Sequence, residues 1–411
     1  MSNYKEFWML GILLIIIVAI FAGIELLQAK QDSPMKPRSI VTTFKDSPQT
    51  SRAFTWYTLS PDAATVIQMA EGSGITNFEE ADVTTQTGTT SMIDTGDAGL
   101  QGSHKVNVTR LNPGTFYTYR VGNGEPNGWS NPAVFKTEGI NTTEFTFINV
   151  TDPQGITEED FKLWGKTLDQ AFKTFPDASF IVNNGDLTEN PENEASWNYF
   201  FDYTQAWLNS YSLMPATGNH DEVDGNAERF LSHFNLPDNG AKDVNPGTSY
   251  SFDYGTAHFI FLNSESKVKK QTEWLRADLS ATNQPWIIVA MHHGPYGGNQ
   301  KKSTVDSWVP LFDEFGVDLV LQGHNHEYSR SYPLLGNQIV EDGSGTVYVV
   351  TNASGGKLNE KKEDQFYHRV HLQNGKPMFA GIRINGDTLK YEAYDIDGLV
   401  IDEFNLTNKK A

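Results

Sequence analysis

The sequence predicts an all-β sandwich followed by a larger α/β domain whose sheets are flanked by helices. Three observations predict it. Residues 38–137 alternate apolar and polar side chains in short runs rich in aromatic and β-branched residues, as half-buried strands do. From residue 144 onward, apolar strand-like runs alternate with helical stretches, the pattern of sheets covered by helices. At 411 residues the chain is long enough for two or three domains of ordinary size.

The elements follow in order. Phe7–Ile24, FWMLGILLIIIVAIFAGI, carries no charge over eighteen residues. That is about the minimum to cross a bilayer, and long for the apolar core of a signal peptide. Residues 1–30 therefore read as a signal peptide or an N-terminal membrane anchor, and the length favours the uncleaved anchor. Either puts the bulk of the chain outside the cytoplasm, membrane-anchored or secreted. Residues 31–37 are a polar linker with two prolines. Residues 38–137 hold SRAFTWYTL, TVIQMAE, SHKVNVTRL and TFYTYRVG between Gly, Pro, Asn and Asp clusters. No nucleophile or ligand cluster appears among them, so this module reads as a structural spacer. Residues 138–143 form a second linker, and 144–406 the remaining domain. There, Phe161, Trp164, Leu168 and Phe172 recur at helical spacing and predict a core-facing stripe. From Phe379 the chain reads as β-hairpins, with NGD and DIDG as turns.

Composition excludes several chemistries. No cysteine is present, which removes disulfides, thiolate catalysis and thiolate zinc sites. The formal charge is −20, from 51 acidic and 31 basic residues. A nucleic-acid partner would need a basic groove, so none is expected. A small phosphorylated substrate stays open, because a bound metal reverses the local field.

Five polar motifs each follow an apolar run. FTFINVTDPQ ends at Asp152 and Gln154, and ASFIVNNGDLTEN holds Asp186. LMPATGNHDE holds Asn219 and His220, WIIVAMHHGPY holds His292 and His293, and VDLVLQGHNHEYSR holds His324 and His326. Ligands of α/β sheets gather beyond the carboxyl ends of strands, so five strands would aim these groups at one crest. Gly185, Gly218 and Gly323 each stand directly before a polar residue, where a sharp turn or close backbone approach is needed. Carboxylate, amide oxygen and imidazole together suit Fe, Mn, Zn or Co. Two such ions sharing a carboxylate, about 3.5–4 Å apart, clamp a phosphoryl group for in-line displacement. Singly, each motif has a plainer account as a turn, a helix cap or a packed pair. Jointly they point to a metal site. The other five histidines, His104, His233, His258, His368 and His371, read as ordinary core or surface residues, and Lys301 and Lys302 as a solvated loop tip.

The ordered set Asp152, GD at 185–186, GNHD at 218–221, VAMH at 289–292 and GHNHEYSRS at 323–331 resembles the calcineurin-like metallophosphoesterases. More narrowly it resembles their purple acid phosphatase branch. LNPGTFYTYRVGN and GWSNPAVFKT are similar to the fibronectin-III-like N-terminal domain of that branch, and RINGDTLKYEAYDIDGLVIDEFNL to its C-terminal strands. The resemblance spans about residues 38–406. It implies a four-layer metallophosphoesterase β-sandwich flanked by helices behind a fibronectin-III-like sandwich.

It also implies a binuclear centre, with Fe, Mn or Zn left open. Asp152 and His326 would hold the first ion, Asp186 would bridge, and Asn219, His292 and His324 would hold the second. His220 would lie outside the ligands, stabilising the phosphoryl group or protonating the leaving oxygen, and His293 would help Asn219 bind phosphate. The implied reaction is hydrolysis of phosphate monoesters by in-line attack of a metal-bound hydroxide. Hydrolysis of diesters on the same site, or an inactive cell-surface binding protein, are the alternatives. Two positions depart from the family. Its GDxxY tyrosine is here Glu189, so no purple chromophore is expected. The histidine of DxH in other metallophosphoesterases is here Gln154, and either its carbonyl oxygen or a water completes the first site.

Overall fold

A computed structural model describes residues 33–223 and 225–408. The apolar Phe7–Ile24 run lies outside the described residues. No helix among the described residues is long and apolar enough to cross a membrane.

The N-terminal module is a sandwich of two four-stranded antiparallel sheets. Its strands are β1 (Arg38–Thr43), β2 (Ser51–Thr58), β3 (Val66–Glu71), β4 (Thr84–Thr87), β5 (Thr89–Asp94), β6 (Leu100–Thr109), β7 (Phe116–Gly122) and β8 (Ala133–Lys136). The sheet orders are β1-β2-β6-β5 and β4-β3-β7-β8. Alternate residues Phe54, Trp56, Ile67, Tyr119 and Phe135 fill the space between them, as strand pleating requires.

The larger domain begins with β9 (Glu144–Val150), α1 (Glu158–Thr174), β10 (Ala178–Asn183), α2 (Glu194–Asp202), α3 (Gln205–Leu208), β11 (Ser212–Pro215) and α4 (Glu228–His233). It continues through β12 (Tyr250–Tyr254), β13 (Ala257–Leu262), α5 (Thr272–Ala281), β14 (Trp286–Met291), α6 (Lys302–Phe315), β15 (Leu319–Gln322), β16 (Tyr328–Ser331) and the short pair β17 (Leu334–Leu335) and β18 (Gln338–Ile339). It closes with β19 (Val347–Val350), β20 (His368–Leu372), β21 (Met378–Asn385), β22 (Thr388–Asp395) and β23 (Val400–Thr407). One sheet runs β11-β10-β9-β21-β22-β23, the other β12-β13-β14-β15-β19-β16-β20.

The apolar pattern stacks the layers. On β13, Phe259 and Phe261 point between the sheets, where Phe147, Phe180 and Phe252 meet them. Ile260 and Leu262 point the other way, onto Trp308 and Phe312 of α6 and Leu275 of α5. On the opposite flank α1 buries the expected stripe of Phe161, Trp164, Leu168 and Phe172. A capping box between Thr157 and Asp160 sets its start. Helices, sheet, sheet and helices make the four layers.

The N-terminal module is more than a spacer. Val41 and Phe44 of that module belong to the core of the larger domain. Buried Arg52 reaches the Ser212 hydroxyl and the Lys136 carbonyl, and the Tyr57 hydroxyl meets Ser232 at 2.5 Å.

Candidate metal centre

The five motifs leave strands of both sheets. Asp152 follows β9, Asp186 follows β10 and Asn219 follows β11 in one sheet. His292 follows β14, and His324 and His326 follow β15, in the other. A single crest was the expectation. The groups meet where the ends of two packed sheets face each other, since β9, β10 and β11 run parallel in one sheet and β14 and β15 run parallel in the other.

The turns that bring them together are tight. Asp152, Asp186, His324 and His326 all have positive φ, at 49°, 55°, 73° and 52°. Left-handed backbone costs a non-glycine residue about 1–3 kcal/mol and clusters at functional sites. The neighbouring glycines make room. A Cβ on Gly218 would lie 2.1 Å from Asp186 Oδ1, and one on Gly323 2.2 Å from Thr151 Oγ1.

Two donor groups result. Asp152, Asp186 and His326 bring one atom each within 4.8 Å of one another, as do Asp186, His292 and His324. Asp186 is common to both. His292 Nδ1 donates to the Asn184 carbonyl at 2.8 Å, and His326 Nδ1 to that of Lys357. Each contact leaves Nε2 to face the carboxylates, at 3.0 Å from Asp186 Oδ2 for His292 and 3.2 Å from Asp152 Oδ1 for His326. His292 Nε2 is buried and makes no hydrogen bond, as expected of an atom positioned for a metal. Asn219 Oδ1 lies 2.9 Å from His324 Nδ1, which sets both beside the second group.

The remaining expected residues line the same place. Gln154 Oε1 is buried without a partner, while its amide nitrogen donates to Glu189 Oε2 at 2.6 Å. His220 donates its backbone N–H to Asp186 Oδ1 at 2.8 Å and its Nδ1 to the Glu189 carbonyl at 2.7 Å. His293 stacks on His324, with ring centroids 3.8 Å apart. Lys301 is no solvated tip: its ammonium pairs with Glu265 at 3.0 Å and donates to the Ser264 carbonyl at 2.7 Å. Lys302 alone stays in solvent, paired with Asp306.

Comparison with known proteins follows the same outline. The family model described as calcineurin-like phosphoesterase matches residues 145–328, and that of the purple acid phosphatase N-terminal domain matches 37–137. The chain carries a calcineurin-like phosphoesterase domain behind a purple acid phosphatase N-terminal domain. Human acid phosphatase type 7 is 24% identical over 73% of this chain and 76% of its own length. An uncharacterized protein of Mycobacterium tuberculosis is 28% identical over 43% of this chain, and the match spans only 42% of that relative. A purple acid phosphatase from yellow lupin superposes with a TM-score of 0.78 at 19% identity, over 91% of this chain and 75% of the lupin chain, and shares its fold.

Around this centre, supporting contacts come from residues whose roles the sequence did not disclose. Asp221 accepts the backbone N–H groups of Asp186 and Gly218, both at 2.8 Å, and that of Leu187 at 3.1 Å. Its position directly after GNH was the available signal. The Thr151 hydroxyl donates to Asp152 at 2.6 Å. Lys357 holds Glu189 at 2.8 Å, and no motif announces it.

The electrostatics favour a cation. Burial alone would raise the Asp152 carboxyl, but His326 and His292 beside it hold it well below the ordinary carboxylate range. Burial lowers His292, yet the Asp186 and Asp152 carboxylates push it up to about 10. Burial lowers His324 to about 3 and His293 to about 4, so both rings are neutral, the form that binds metals. Carboxylates, imidazoles and amide oxygens with two buried orphan atoms fit a pair of transition-metal ions.

Proposed function

We propose that this chain is a metal-dependent phosphoesterase that hydrolyses phosphate monoesters. The observation that carries the reading is the shared Asp186 between two donor groups, with His292 Nε2 buried and unpartnered beside it. Asp152, His326 and Gln154 would hold one ion, Asn219, His292 and His324 the other, and Asp186 both. When bound, the ions would neutralise the phosphoryl oxygens and activate water as the nucleophile.

The chain's own groups do the rest. Donation of His220 Nδ1 to the Glu189 carbonyl fixes that ring and reserves Nε2 for the reacting end. A protonated His220 would pass its Nε2 proton to the departing oxygen, a contribution of general acid type. Neutral His293, held against His324, would donate one hydrogen bond to a phosphoryl oxygen. The Glu189 carboxylate, bound to Lys357 and Gln154, would fix the Gln154 amide and is itself spent on those contacts.

Hydrolysis of p-nitrophenyl phosphate and its bis ester, with and without Mn²⁺, Zn²⁺ or iron, tests the reading. Faster turnover of the monoester is expected. A preference for the bis ester makes the chain a diesterase, and no turnover of either under any metal makes it a binding protein on this fold. From the apolar Phe7–Ile24 run we further infer an extracytoplasmic, membrane-anchored chain. Resistance of the chain in intact cells to added protease would refute that.

A further inference from the structure

A third group of metal-ligating side chains lies apart from the centre described above. Asp364, His368 and His371 bring one donor atom each within 4.8 Å of one another. His368 and His371 sit three residues apart on β20, and simple strand alternation would send them to opposite faces. The pairing of β16 with β20 shifts register between Arg330 and Ser331. Such a bulge re-aims side chains, and here the two rings come together, with centroids 3.9 Å apart.

His371 is the hub. Its Nδ1 lies 2.8 Å from Asp364 Oδ1 on the solvent side, and its Nε2 lies 3.1 Å from Glu327 Oε2 on the buried side. The His371 side chain is 2% exposed and that of Glu327 fully buried. Yet His371 Nε2 and Glu327 Oε1 have no hydrogen-bond partner. Glu327 Oε2 also accepts the Lys362 amide at 2.7 Å, so Glu327 steadies the ring from its Nε2 side while Nδ1 faces Asp364.

We propose that Asp364, His368 and His371, with Glu327 holding the far nitrogen of the His371 ring, form a separate site for one divalent transition-metal ion. Two imidazoles with one carboxylate select a zinc-like ion over Ca²⁺ or Mg²⁺. His368 Nε2 donates to the Gly297 carbonyl at 2.9 Å, and Nδ1 accepts the Gln365 amide at 3.1 Å. The longer of these is the contact exchanged for the ion. Lys361, on Asp364 at 2.5 Å, swings to solvent. The ion would staple residues 351–367, which form no helix or strand. That segment supplies the Lys357 carbonyl to His326, the Lys357 ammonium to Glu189, and the Asn359 and Lys362 amides to the His326 carbonyl and Glu327.

The test counts zinc by plasma mass spectrometry on the full chain, stripped with chelator and reloaded. Three equivalents are expected in the wild type, two in H368Q/H371Q and one in D152N/D186N. Two in the wild type, or three surviving in H368Q/H371Q, overturn the third site. One equivalent kept by D152N/D186N supports it even if the chain turns over no ester, and none kept overturns it. Should H368Q/H371Q fail to fold, D364N decides, since its carboxylate is on the surface. It should weaken the third equivalent about tenfold or more, and an unchanged titration overturns the site.

Discussion

Asp186 stands in both donor groups, so its removal takes a donor from each. Asp186→Ala should abolish phosphatase activity and lower bound metal, both read on one preparation. His220 touches Asp186 only through its backbone, so His220→Ala should keep its metal while kcat falls about 10²- to 10⁴-fold. Metal lost from His220→Ala would put that ring among the ligands. Gln154→Ala should lower occupancy of the group formed by Asp152 and His326, and unchanged occupancy with unchanged turnover would remove Gln154 from the site. Iron-loaded protein should show no tyrosinate band in the visible, since Glu189 stands where the tyrosine of GDxxY would be. At this scale the sequence is legible where a ligand follows an apolar run and a glycine, as at Asp186 and His324. It is silent on Lys357, because a backbone carbonyl serves His326 and any residue carries one.

At the scale of elements, strands and helices follow from periodicity. The α1 stripe and the C-terminal hairpins are where alternation and turn residues put them. Partition between sheets is not, since β9 and β14 are both apolar on both faces and nothing in such runs says which sheet they join. One ion-pair cluster links β12, β13 and α5. His258 lies 2.6 Å from Asp253 and 2.8 Å from Asp278. Burial lowers its pKa, but the two carboxylates outweigh that and push it up to about 9. A folded-state value above the unfolded 6.5 stabilises fully below pH 6.5 and is lost as pH rises through 9. The contribution is about 3 kcal/mol at most. His258→Gln should therefore melt well below the wild type at pH 6, with the gap closing by pH 10. A gap that does not narrow would show His258 to be neutral in the fold.

At the scale of the whole molecule, the two modules share a core. Phe44 of the N-terminal module packs on Phe180, Phe252 and Tyr254 of the larger domain. Phe44→Ala should cost about 3–5 kcal/mol and move one joint calorimetric transition. Two separated transitions in the wild type would show the modules to be energetically independent. Docking of this kind was not readable from sequence, since Val41 and Phe44 look like any apolar residues at a strand end.

The split of the candidate ligands between two sheets has a consequence for how the protein would acquire its ions. The donors run from Asp152 to His326, and they meet only after both sheets have formed and closed on each other. No early fragment of the chain holds a complete set, so an ion cannot template the fold and joins it last. Loading is then a proofreading signal, since only a correctly closed molecule retains metal. The compartment in which closure happens, rather than the one in which translation happens, would then decide which metal the protein carries.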